Sequence, residues 1–80
     1  MTYADAIAKR IEKICRDRQI TLNKLATLSG LRQSTLDNIA KGHTKNPTLK
    51  TLHCIAVGLD MTVSELLNFD AMNETVFEDE

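Results

Sequence analysis

Apolar residues recur at intervals of three and four from the start of the chain. Ala4, Ile7, Ala8, Ile11, Ile14 and Cys15 form one stripe, which predicts a helix over residues 3–18. Lys9, Arg10, Lys13 and Arg16 fall on its other sides and read as a solvated face. Ile20 turns inward next, and Thr21 carries the side-chain acceptor that starts a helix well. A second stripe, Leu25, Leu31, Leu36 and Ile39, crosses residues 22–41 and is interrupted at Gly30. This reads as two short helices and a tight turn. The turn requires a positive φ, which glycine adopts without a Cβ clash. Ala26 is small enough to sit where two helices cross steeply. The third helix begins between Arg32 and Ser34. Arginine has no acceptor, so either the helix starts uncapped or Ser34 caps a slightly shorter one. Gly42 ends it.

The second half continues the pattern. Residues 43–48 are a polar loop, and Thr48 is positioned to cap a fourth helix. The inward stripe of that helix is Leu49, Leu52, Ile55, Ala56 and Leu59, with Cys54 on the opposite side. Thr62-Val63-Ser64-Glu65 is a capping box, in which threonine and glutamate each satisfy the other's orphan backbone donor. Val63, Leu66 and Leu67 make the inward side of a fifth helix. After Phe69 the periodicity is lost in DAMNETVFEDE. Five helices with short connections predict an all-α, compact five-helix orthogonal bundle over residues 1–69. An acidic, mobile tail is expected over residues 70–80.

Turning Leu36, Ile39 and Ala40 inward sends Gln33, Ser34, Asp37, Asn38 and Lys41 outward, because the helical repeat leaves them no other side. The outward row is polar and amide-rich, as expected of a helix that reads base edges in a DNA major groove. At LNKLATLSGLRQSTLDNIAK the chain resembles the helix-turn-helix of the lambda-repressor-like (Cro-like, XRE-type) DNA-binding proteins. The likeness runs on through GHTKNPTLKTLHCIAVGLDMTVSELL. A bare helix-turn-helix is a weak signal. Joined to G-x-x-x-x-P-x-x-x-x-L and a closing V-x-x-L-L it is far more specific, and the resemblance spans roughly residues 4 to 69.

The resemblance implies a sequence-specific transcriptional regulator, a repressor, that reads double-stranded operator DNA with its third helix, about residues 33–41. Gln33 and Asn38 would each offer an amide pair to adenine. Arg32 would donate to guanine or phosphate, and Ser34 is permissive. Lys24, Thr35, Thr44, Lys45 and Asn46 stand where phosphates are held. Asp37 is expected to point sideways and pair with Lys41. Two positions depart from the family pattern. Leu22 replaces a glutamine that often holds a phosphate. Cys15 and Ala40 stand where many members place an arginine–glutamate pair, a replacement that is often neutral because desolvation is avoided.

Net charge is −1 over 80 residues, which by itself speaks against a polyanionic partner. Its distribution reverses that reading. All ten Lys and Arg lie in residues 1–69 against six acids, leaving +4, while the last eleven residues carry −5. Cys15, Cys54, His43 and His53 show no zinc spacing. His53 and Cys54 are neighbours on a helix and point about 100° apart, so they make no nucleophile–base pair. No enzyme, metal or cofactor is expected. Without an amino-terminal signal or an apolar run near 20 residues, the expectation is a cytoplasmic protein with reduced thiols and no membrane contact. With no second domain expected after residue 80, association would use this domain or its tail, through Phe69, Met72, Val76 and Phe77. A homodimer on two half-sites is expected, with a protein partner possible. The rival reading is a protein-interaction or antitoxin-type module on the same fold with weak or lost DNA binding. The low net charge, Leu22 and Asp37 favour it.

Overall fold

In the computed structural model, which describes residues 2–74, the chain is all-helical. Helix α1 spans Tyr3–Arg18, α2 Leu22–Ser29, α3 Gln33–Ala40, α4 Leu49–Gly58, α5 Val63–Leu67 and α6 Asp70–Glu74. Each of the first, second, fourth and fifth helices starts on a threonine whose hydroxyl accepts a backbone N–H three residues on. These are Thr2, Thr21, Thr48 and Thr62. At Thr62 the box is reciprocal: Glu65 Oε1 accepts the Thr62 N–H at 2.9 Å. That bond holds the Glu65 carboxyl below its ordinary pKa. Helix α3 starts at Arg32 with no side-chain cap, the first of the two alternatives.

The apolar stripes close on a single core, with one residue left out of it. Ile11, Leu25, Leu36, Ile55, Leu59 and Leu66 are its fully buried centre, with Ile7, Ile14, Cys15, Ala26, Ile39, Leu52 and Ala56 around them. Burial pushes the Cys15 thiol up, so at neutral pH it packs as a small hydrophobe. The exception is Leu49. Expected inward, it is 67% exposed. It borders an apolar groove of about 240 Å³ whose lining includes Tyr3, Ile7, Pro47, Leu52 and Met72.

Two features at the carboxyl end depart from the sequence expectation. Residues 70–74, assigned to a tail without periodicity, form α6, the sixth helix among the described residues. Phe69 and Met72, expected to be exposed, are partly covered within the fold. Phe69 is half-buried beneath the Arg10 guanidinium, 5.2 Å from its ring centroid, and Met72 packs against the core. Val76 and Phe77 lie outside the described residues.

Arg10 explains this arrangement. Its Nε donates to the Leu66 carbonyl and its Nη2 to the Glu65 carbonyl, both at 3.0 Å. These are terminal carbonyls of α5, of which that of Glu65 also accepts the Asn68 N–H at 3.3 Å. Arg18 likewise donates to the Leu59 carbonyl at the end of α4. Arg10, which reads as solvated charge, and Arg18 are therefore caps supplied by α1. Arg10→Ala is expected to cost about 1.5 kcal/mol, the low end for hydrogen bonds to charged groups, since the site is partly exposed. Arg10→Lys, a single-point donor, should recover only part of it. Urea midpoints check this, and equal midpoints for all three proteins would remove the capping role.

The α2 and α4 helices meet closely at Gly58. A Cβ built there would lie 2.4 Å from Ser29 Oγ, 2.9 Å from Ser29 N and 3.1 Å from Leu28 C.

Candidate nucleic-acid interface

The α2–turn–α3 unit is built by local rules. Gly30 takes φ 69° and ends α2, its N–H donating to the Thr27 carbonyl and the Leu31 N–H to that of Ala26. The chain then extends through Arg32 and re-enters a helix at Gln33. Leu36 and Ile39, 0% and 2% exposed, pin α3 to the core. With that side fixed, Arg32, Gln33, Ser34, Asn38 and Lys41 are all exposed. The residues expected to read bases are therefore all accessible, away from the side of α3 that Leu36 and Ile39 bury.

The residues expected to face phosphates come from α2, α3 and the loop that follows α3. Lys24 is exposed on the first turn of α2, whose amino terminus Thr21 caps. Thr35 is half-buried on α3. After Gly42 (φ 76°) the loop carries Thr44, half-buried, and Lys45 and Asn46, both exposed. Leu22 is packed against the core, so the phosphate ligand missing from the sequence is replaced there by a core contact.

Asp37 is the one site residue whose partner differs from the expectation. Its Oδ1 accepts a 2.8 Å hydrogen bond from Gln33 Nε2, one turn earlier, rather than pairing with Lys41. Both partners stand four residues from Asp37. The spacing that suggested Lys41 also allowed Gln33, since glutamine–aspartate pairs form at i,i+4.

Charge is segregated along the chain. On α1 the ion pairs Lys13–Asp17 (2.8 Å) and Glu12–Arg16 (3.3 Å) offset one another. Lys13, by hydrogen bonding, holds the Asp17 carboxyl below its ordinary range. Residues 19–50 contain Lys24, Arg32, Lys41, Lys45 and Lys50, all exposed, against the single acid Asp37. Residues 51–74 contain Asp60, Glu65, Asp70 and Glu74 and no Lys or Arg. The near-zero net charge thus hides a basic helix-turn-helix segment. Among the described residues, no group of three or more His, Cys, Asp or Glu could hold a metal. No helix there is long and apolar enough to cross a membrane.

Comparison with known proteins agrees with this geometry. The crystal structure of the prophage Lp1 protein 11 superposes with a TM-score of 0.81 at 28% identity, covering 94% of this chain and 99% of that one. An uncharacterised SPbeta prophage-derived HTH-type transcriptional regulator, YopS of Bacillus subtilis (strain 168), is 29% identical over 59 residues. The match covers 74% of this chain and 80% of YopS. Residues 10–71 match the family model of the Cro/C1-type HTH DNA-binding domain. With a capped α2, a turn at Gly30 and an exposed polar ridge on α3 within those bounds, the chain belongs to the Cro/C1-type helix-turn-helix DNA-binding family.

Proposed function

We propose that this DNA-binding transcriptional regulator is a cytoplasmic repressor that reads operator DNA sequence-specifically as a homodimer, with α3 in the major groove. The observation that carries the reading is the α3 ridge. Arg32, Gln33, Ser34 and Asn38 are exposed together on a helix locked by Leu36 and Ile39, inside a segment with five cations and one acid. The side-chain chemistry supplies the readout: Gln33 and Asn38 pair with adenine, and Arg32 donates to guanine or to phosphate. Lys24, Thr35, Thr44, Lys45 and Asn46 hold the backbone and set the register. The apolar groove beside the two-thirds-exposed Leu49 gives a second copy of the chain a surface to bury. Repression needs no further machinery, since a bound dimer occludes any promoter it overlaps.

Selection of bound sequences from a random duplex library tests the reading. A palindromic site is expected, with half-sites about 10 bp apart. Gln33→Ala and Asn38→Ala should each lose roughly 1–3 kcal/mol on that site and relax the preference at one base position per half-site. A library that shows no enrichment even at low salt overturns it.

A further inference from the structure

We infer that Asp37 is a positioning residue: it fixes which way the Gln33 amide faces and thereby sets adenine preference at one base pair. The inference rests on α3 reading the major groove as proposed above. Its basis is the 2.8 Å bond from Gln33 Nε2 to Asp37 Oδ1. An ionised carboxylate only accepts hydrogen bonds, so the Gln33 amino group, and not its carbonyl, has to face Asp37. The amide sense is thus fixed by chemistry.

This matters because a free glutamine is ambiguous in a major groove. With its amide in either sense, it can donate to the two acceptors of guanine, N7 and O6, or pair bidentately with adenine, whose edge offers one acceptor and one donor. Held by Asp37, the Gln33 amino group spends one N–H on the carboxylate. It keeps a second N–H for a base acceptor, and Oε1 remains beside it to accept. One donor next to one acceptor matches adenine N7 and N6. Guanine would set its O6 against Gln33 Oε1, two acceptors with no proton between them. Asp37 carries negative charge in the middle of a DNA-facing helix, a cost to phosphate attraction for every sequence alike. Discrimination at the Gln33 position is what that cost secures.

Asp37→Asn keeps the size of the side chain but can offer Gln33 either a donor or an acceptor, so the amide is free to flip. In the full-length protein, affinities are measured for the selected site and for the same site with guanine replacing the adenine at the Gln33 position. The wild-type protein is expected to prefer adenine by about tenfold or more. Asp37→Asn should reduce that preference to about twofold at this position only. A gain in affinity shared by both duplexes reflects charge alone and leaves the ratio as the readout. In the free protein, the Gln33 side-chain amide proton resonances should shift on Asp37→Asn. If Gln33→Ala abolishes the preference while Asp37→Asn leaves it at its wild-type value, the positioning role is overturned and groove reading by α3 stands. If Gln33→Ala leaves every base preference unchanged, groove reading by Gln33 fails, and the role of Asp37 fails with it.

Discussion

Leu36→Ala is expected to destabilise the protein by about 3 kcal/mol and to remove sequence-specific DNA binding at physiological temperature. Leu36 is 0% exposed and is the deepest anchor of α3, a helix of only eight residues. Truncating a buried leucine loses the transfer free energy of the removed atoms and leaves a cavity, together about 2–5 kcal/mol. Domains of this size hold roughly 5–15 kcal/mol in total, so the loss is a large fraction. At roughly 4–8 °C per kcal/mol, the melting midpoint should fall by more than 10 °C. A helix this short has little stability of its own, so the ridge it presents depends on this anchor. Leu36→Met, which nearly conserves volume, should cost less than about 1.5 kcal/mol. Thermal melts followed by circular dichroism, paired with binding to the selected site, check both. A Leu36→Ala midpoint within 3 °C of wild type would contradict the packing account.

Gly58→Ala is the second large effect, and it runs against helix propensity. In an open helix interior the change would stabilise by about 1 kcal/mol. Here the new Cβ would lie 2.9 Å from Ser29 N and 3.1 Å from Leu28 C, besides 2.4 Å from Ser29 Oγ. A side-chain oxygen can rotate away, but two backbone atoms cannot, so α2 and α4 have to separate. Overpacking of this kind costs about 1–3 kcal/mol or more. With the propensity gain set against it, we expect a net loss of about 2 kcal/mol. Val57→Ala, one residue earlier and 63% exposed, is the control and should be near neutral. A Gly58→Ala protein as stable as wild type in denaturant would show that the two helices yield freely.

What the sequence disclosed and what it concealed divide by distance along the chain. The caps at Thr21, Thr48 and Thr62 were legible because each cap and the N–H it accepts are three residues apart. The Gly30 turn and the outward ridge followed from periodicity alone. Leu49 misled because a stripe gives direction and says nothing about whether a neighbour extends far enough to cover the helix end. Helix α6 was hidden for a related reason. Five residues rich in acid and amide have little intrinsic drive to fold, and the core contact of Met72 is tertiary and leaves no local pattern. Within the site, exposure of Arg32, Gln33, Ser34 and Asn38 was readable, whereas the choice of Gln33 over Lys41 by Asp37 depends on rotamers. Arg10 and Arg18 were the least legible. Their acceptors lie 41 to 56 residues away, beyond any local pattern.

Those same guanidinium bonds bear on cooperativity. Small helical domains commonly fray from their ends, each terminal helix opening at its own low free energy. Here the first helix supplies the donors that close the fourth and fifth. Opening α5 therefore strands the Arg10 contacts, and releasing α1 uncaps two helices at the far end of the chain. The first helix and the helices that follow the helix-turn-helix are thereby coupled, so that opening either end is expected to weaken the other by the roughly 1–2 kcal/mol such bonds supply.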